Sequence, residues 1–301
     1  MLLLEIKHEK NFNIKKYTTF KIGGDIDKVL FPKSIEEFEQ ALKETSKVYG
    51  NLSNTLVSTF GYQGKIILST EMNTIKIDGN RVTADCGVKG PKLAQEVCAS
   101  GLSGLEFMIG FPGSVGGEIC MNASAHGQTV SDFLTSVICW SKEFGLVQYS
   151  KEEMEFEYRS SKCQRENLIV LQAEFELEKK DIHEIKKQMD ENLNFRRKHQ
   201  PTLALPNCGS IFKNPCNSPA GRLLESVGAK EIMIGDAHVW RNHSNFIINT
   251  GNATSMDVLK LMSELQDRVL GEFNIKLEPE IRFLGGFNKE EMKLWQKLNK
   301  K

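Results

Sequence analysis

Ser210 stands in the run Gly209-Ser210-Ile211-Phe212-Lys213-Asn214, a hydroxyl three residues before an ammonium group. That pairing can deliver a proton or, once activated, a nucleophile; a turn serine serves as readily as a structural hydroxyl. Glu280 and Arg282 flank Ile281 in an alternating run, which puts a carboxylate and a guanidinium on one face of a strand. There they either line a cleft or form an exposed ion pair of little worth. Arg159, in Tyr158-Arg159-Ser160-Ser161, offers a two-pronged guanidinium suited to gripping a carboxylate, and the same run also reads as a surface loop.

A different chemistry is suggested by residues 101–127. Seven of the 24 glycines fall there, at 101, 104, 110, 113, 116, 117 and 127. Such clustering marks positive φ or close approach of something to the backbone. Gly113-Ser114-Val115-Gly116-Gly117 offers successive bare amides of the kind that hold a phosphate, and a tight turn packed under a sheet makes the same demand. No two glycines are separated by a single residue, and none precedes Lys-Ser or Lys-Thr. The Rossmann fingerprint and the P-loop are therefore absent.

The elements that must position these groups read as α+β. Ser34 and Glu37 form a capping box for a helix over Ile35, Phe38 and Leu42. Residues 47–57 read as strand, turn, strand, and 75–84 as a hairpin at Asp78-Gly79-Asn80. A helix over 91–100 begins at Pro91 and stops at Gly101. Strands are expected over 137–149, 168–177, 209–212, 246–249 and 275–284. Ile182, Ile185, Met189 and Leu193 stripe a helix over 181–199, whose last turn, Arg196-Arg197-Lys198-His199, reads as a solvated cap in preference to a phosphate site. Thr254 and Asp257 cap a long helix over Val258, Leu261, Leu265 and Val269, and the expected domain seam is near 180–206.

Composition bounds the function. The formal net charge is zero, which argues against nucleic acid as the main partner. The apolar start, MLLLEIKHEK, lacks the basic segment of a signal peptide, and no later run is long enough to span a bilayer. Seven cysteines without a CxxC and six histidines without HxH or HExxH favour reduced thiols in a cytoplasmic protein and no metal site.

Taken together, the blocks YTTFKIGG, GNLSNTLV, GLSGLEFMIGFPGSVGGEICMNASAHG, YRSS, NCGSIFKNP, NHSNFIIN and LEPEIRFLG resemble, in order and spacing, the UDP-N-acetylenolpyruvoylglucosamine reductases of peptidoglycan synthesis, over residues 17–285. The separation of Arg159 from Ser210 is similar to that in the shorter class, which lacks an extra tyrosine-bearing loop. The resemblance implies two FAD-binding subdomains of the vanillyl-alcohol oxidase/PCMH-like kind (1–70 and 71–180) and a C-terminal α+β substrate domain (181–301). FAD would be held by Gly50, Asn51, Ser53 and Asn54 and by Gly110, Pro112, Gly113, Ser114, Gly116, Gly117 and Asn122. Arg159, Ser210 and Glu280 would be catalytic. Tyr158, Lys213, Asn214 and Arg282 would contact substrate.

The implied reaction takes hydride from NADPH through FAD to C3 of UDP-N-acetylglucosamine enolpyruvate, with Ser210 protonating C2, in a cytoplasmic monomer. Other readings are a flavin oxidase of the same fold and a non-catalytic sugar-nucleotide-binding module that has lost FAD. The chain departs from the family pattern at Leu52, where glycine is usual, at Ser58, where aspartate is common, and at Glu118, where a small residue is usual. Ser124, His126, Trp240 and Asn242 are further departures.

Overall fold

Leu171, Ala173 and Phe175 alternate inward along the strand Ile169–Glu176 while Gln172 and Glu174 face out, and this strand is the spine of the first of two units. In the computed structural model, which describes residues 4–202 and 204–300, it lies at the centre of a five-stranded antiparallel sheet. The order is Gly145–Ser150, Leu134–Ser141, Ile169–Glu176, Arg81–Asp85, Ile75–Asp78. Most of the apolar run at residues 1–4 lies outside the described residues.

The chain divides into one unit of Met1–His8, Val29–Asn51 and Ile66–Arg196, and another of Glu9–Lys28, Leu52–Lys65 and Arg197–Lys301. In the first unit, the expected single strand over 137–149 is instead a hairpin that turns at 142–144, where Ser141 Oγ accepts the amides of Glu143 and Phe144. The hydroxyl offers the backbone a local partner that a continuous strand would not need. The helix Val115–Cys120 packs against Ile169–Glu176 and Arg81–Asp85. Phe107, Leu93, Val137, Leu171 and Phe175 fill the core beneath.

The second unit is organised by the helix Ser255–Phe273. Thr254 Oγ1 accepts the Asp257 amide at 3.1 Å and Asp257 Oδ2 accepts the Thr254 amide at 2.8 Å, so two otherwise orphaned donors at the helix start are satisfied. Val258, Leu261, Met262, Leu265 and Val269 bury one face. Asn274 stops the helix in the left-handed region at φ 52°. Met233–Ile234, Ala237–Val239 and Ile247–Asn249 make a small antiparallel sheet, and Thr55–Val57 runs parallel to Arg282–Leu284.

Two expected strands are shorter than the sequence suggests. Residues 209–212 form isolated bridges, Ser210 to Phe246 and Phe212 to Pro279, and 275–284 is a regular strand only over Arg282–Leu284. Pro279 has no N–H to give, so the ladder breaks there and resumes on either side: Lys213 N donates to Glu278 O (2.9 Å) and Glu280 N to Ile211 O (2.8 Å).

The carboxylate of Glu291, fully buried in the helix Lys289–Asn299, accepts from Ser58 Oγ at 2.6 Å and from Ser255 Oγ. Ser255 Oγ in turn takes the Thr59 amide at 2.7 Å. Ser58 thus reaches a carboxylate borne by the helix Lys289–Asn299.

Candidate active site

Within the second unit the backbone brings Ser210 and Glu280 onto neighbouring segments. Asn245 fixes the Ser210 segment from one side. Its carbonyl accepts Ile211 N (3.0 Å), its Oδ1 accepts Phe212 N (3.0 Å), and its Nδ2 donates to Phe212 O (2.8 Å). The Glu278–Glu280 backbone fixes it from the other. Asn54 joins the same lattice, giving Nδ2 to Glu280 O (3.1 Å) and taking Arg282 N on its carbonyl (2.8 Å).

Ser210 lies on the wall of a cavity of about 430 Å³, with Asn214, Arg222, His243 and Ser244 among its neighbours there. Burial pushes the His243 imidazole below its ordinary pKa, so it is neutral at pH 7 and its Nδ1 accepts the Asn245 amide. Ser244 Oγ is buried without a partner, a hydroxyl available to a ligand. Asn214 Oδ1 caps the helix Ala220–Ser226 through Ala220 N (2.9 Å), and Lys213 pairs with Glu278 at 2.6 Å. Arg282 is exposed and Glu280 partly buried.

The glycine-rich segment belongs to the first unit, as do Gly50, Asn51, Asn122, Tyr158 and Arg159. Asn51 Nδ2 donates to Pro112 O, tying the Gly50 turn to the loop. A Cβ on Gly50 would meet Ser114 Oγ at 2.0 Å, so only glycine fits.

The loop is not the run of bare amides expected. Val115 N donates to Val88 O (2.8 Å) and Gly116 N to Cys86 O (2.9 Å), leaving Gly113, Ser114 and Gly117 as the loop amides not engaged in this way. Gly117 is exposed, and a Cβ there would meet only Ser114 Oγ, at 3.7 Å. Asn122, held at φ 41°, gives Nδ2 to Glu157 O, while its buried Oδ1 has no partner. An open glycine surface and an unpaired acceptor fit a bulky anionic cofactor with donors of its own, and FAD has both diphosphate and ring N–H. Leu52 and Ser53 begin the Leu52–Lys65 segment of the second unit, with Leu52 buried at φ 51°, in the region where glycine costs least.

Arg159 also sits in the left-handed region, at φ 54°, in a turn closed by Glu157 N to Ser160 O (3.0 Å) and Ser160 N to Glu157 O (3.2 Å). Its Nη1 donates to Ser124 Oγ (2.8 Å) and its guanidinium lies 5.2 Å from the exposed Tyr158 ring. A strained backbone held by several contacts is a feature of functional loops.

The structure adds the surroundings of two residues in this region. Arg196, read as part of a solvated cap, is partly buried, and its Cδ lies 2.9 Å from where a Gly110 Cβ would be. Glu118 is buried with both carboxylate oxygens unpartnered, and desolvation pushes its pKa up to about 8.

Known proteins match this architecture. Residues 26–143 match the FAD binding domain family, and 200–284 match the family of the C-terminal domain of UDP-N-acetylenolpyruvoylglucosamine reductase. The fold and the family match thus define an α+β flavoprotein with an FAD-binding domain of the PCMH-like kind.

UDP-N-acetylenolpyruvoylglucosamine reductase of Caldicellulosiruptor saccharolyticus is 38% identical, covering 94% of each chain. That of Carboxydothermus hydrogenoformans is 40% identical over 92% of this chain and 93% of its own. The crystal structure of the Thermus caldophilus reductase superposes with a TM-score of 0.80 at 32% identity, over 94% of this chain and 100% of that one. The chain belongs to the UDP-N-acetylenolpyruvoylglucosamine reductase family, and with that come FAD-dependent reductase chemistry and a small sugar-nucleotide substrate. Among the described residues, no helix is long and apolar enough to cross a membrane.

Proposed function

We propose that the chain reduces UDP-N-acetylglucosamine enolpyruvate to UDP-N-acetylmuramate, acting as a cytoplasmic monomer of the shorter class. In this reading residues 1–70 and 71–180 bind cofactor and 181–301 bind substrate. The observation that carries it is Ser210 on a cavity wall, with the next residue bonded through its carbonyl to Glu280 N. FAD, when bound, supplies to C3 of the enolpyruvyl ether the hydride that NADPH provides.

The chain's own residues then manage charge and proton. Negative charge develops at C2 and the adjoining carboxylate, and Arg159 and Lys213 stabilise it, as fixed cations do in a water-poor site. Ser210 Oγ gives its proton to C2; a serine is a weak acid in water, but a carbanion-like carbon is a strong enough base to take it. Glu280 acts in that relay or orients the intermediate. Tyr158, Asn214 and Arg282 contact substrate. Gly50, Asn51, Ser53 and Asn54, with Gly110, Pro112, Gly113, Ser114, Gly116, Gly117 and Asn122, hold the cofactor.

Purified protein will show flavin bands that bleach with NADPH anaerobically and return when the enolpyruvyl sugar nucleotide is added. A flavin that bleaches and does not return with that substrate would sink the reading. Gly117→Ala tests the cofactor loop separately. The fold has room for the methyl group, so the variant should fold, yet lose about tenfold to a hundredfold in FAD affinity, the effect of disturbing one hydrogen bond to a charged group. Titration by flavin fluorescence measures it.

A further inference from the structure

Glu118 is the one buried carboxyl, among the described residues, whose two oxygens both lack a hydrogen-bond partner. It projects from the helix Val115–Cys120 back under the loop. A Cβ on Gly113 would lie 2.8 Å from its Oε1, and one on Gly90 would lie 2.6 Å from the same atom. The carboxyl therefore lies against the main chain of the segment proposed to carry the cofactor diphosphate. Where the family pattern has a small residue, this chain has placed an acid.

We propose that Glu118 is a proton-linked partner of the flavin nucleotide: the protein binds FAD with Glu118 neutral, and takes up a proton on binding wherever Glu118 is ionised beforehand. The inference rests on the reading of the Gly110 to Gly117 loop as the diphosphate cradle. An ionised carboxylate and a diphosphate held by the same water-poor loop would repel; the Arg196 side chain lies against Gly110 at the start of that loop, whereas Glu118 itself has no hydrogen-bond partner there.

The charged and titratable groups on the elements around the helix are engaged elsewhere or face away. Asp85 accepts from Thr74 N and Gln172, Asp132 from Thr129 N, and Glu174 from Thr135. Lys162 pairs with Glu166 and Arg165 with Glu155, while Glu176 accepts from Asn80 and Arg81 lies exposed at the far end of its strand. Lys89 precedes Gly90 and is exposed, Lys92 donates to Asn73 O, and the thiols of Cys86 and Cys163 are pushed up in pKa and neutral. Burial alone, with no charged neighbour, accounts for the raised pKa of Glu118.

The test is FAD binding by calorimetry from pH 6 to 9.5 in two buffers of different ionisation enthalpy, with wild type, Glu118→Gln, Glu118→Ala and Gly117→Ala. Wild type should show Kd rising about tenfold per pH unit above about 8, with proton uptake growing towards one per FAD. Glu118→Gln and Glu118→Ala should show a flat Kd and no uptake over that range. A carboxyl that matters only to folding would leave uptake on binding at zero in all variants.

If Gly117→Ala weakens FAD while wild type and Glu118→Gln share one pH profile, the loop stands and the proton link is overturned. If Gly117→Ala binds FAD as wild type does, the loop reading itself fails and takes the link with it.

Discussion

Ser210→Ala is expected to leave NADPH-driven bleaching of the flavin at its wild-type rate and to lower turnover of the enolpyruvyl substrate by about 10²- to 10⁴-fold, the usual contribution of a positioned acid. The hydroxyl makes none of the bonds that hold its segment. Asn245 and the backbone around Pro279 do that through Ile211, Phe212, Lys213 and Glu280. Removing Oγ thus subtracts a proton and little structure. Stopped-flow separation of the two half-reactions reads the difference, and solvent deuterium should slow only the second. Equal loss in both halves would mean that Ser210 positions the flavin or the fold, and its assignment as acid would fail.

How far the sequence disclosed this arrangement depends on the range of each interaction. Helix caps are local, so Ser34 with Glu37 and Thr254 with Asp257 were legible: the structure places Glu37 N on Ser34 Oγ and Asp257 N on Thr254 Oγ1, and completes the reciprocal box only at Thr254, the Glu37 carboxylate taking the Lys33 amide instead. The long helix over Val258 to Val269 was equally legible from its apolar period. What failed needed distant partners. The amides of Val115 and Gly116 look bare in sequence and are consumed by Val88 O and Cys86 O, carbonyls far earlier in the chain.

Position 209–212 alternates like a strand but meets Pro279 across the ladder, so only bridges form. Arg196 lies in a basic helix end whose charges suit the dipole, and nothing local says that this side chain alone turns onto Gly110. Ser58 was visible only as a missing aspartate; that Glu291 brings a carboxylate to it required the fold. The blocks carrying Arg159, Ser210 and Glu280 were recognisable because family identity is recorded in such short runs.

Glu118→Gln is expected to stabilise the FAD-free protein, increasingly so as pH rises. In the folded state the carboxyl titrates near pH 8; in the unfolded chain it returns to about 4.5. Its folded pKa is thus raised, and the folded state holds the proton more tightly. The sign follows: the contribution of Glu118 to wild-type stability is greatest below about pH 4.5, falls as pH climbs from there to about 8, and levels off above. The amide introduced by Glu118→Gln cannot ionise and carries no such slope, while both side chains leave a neutral polar group equally short of partners.

The advantage of the variant should therefore be near zero at about pH 4.5 and reach the order of several kcal/mol at about pH 8 and above, given about 1.4 kcal/mol per pKa unit. Denaturant midpoints at intervals from about pH 4.5 to 9 measure it. A constant offset between variant and wild type across that range would mean that Glu118 finds water or a cation when it ionises, and both this expectation and the proposed link to FAD would lose their basis.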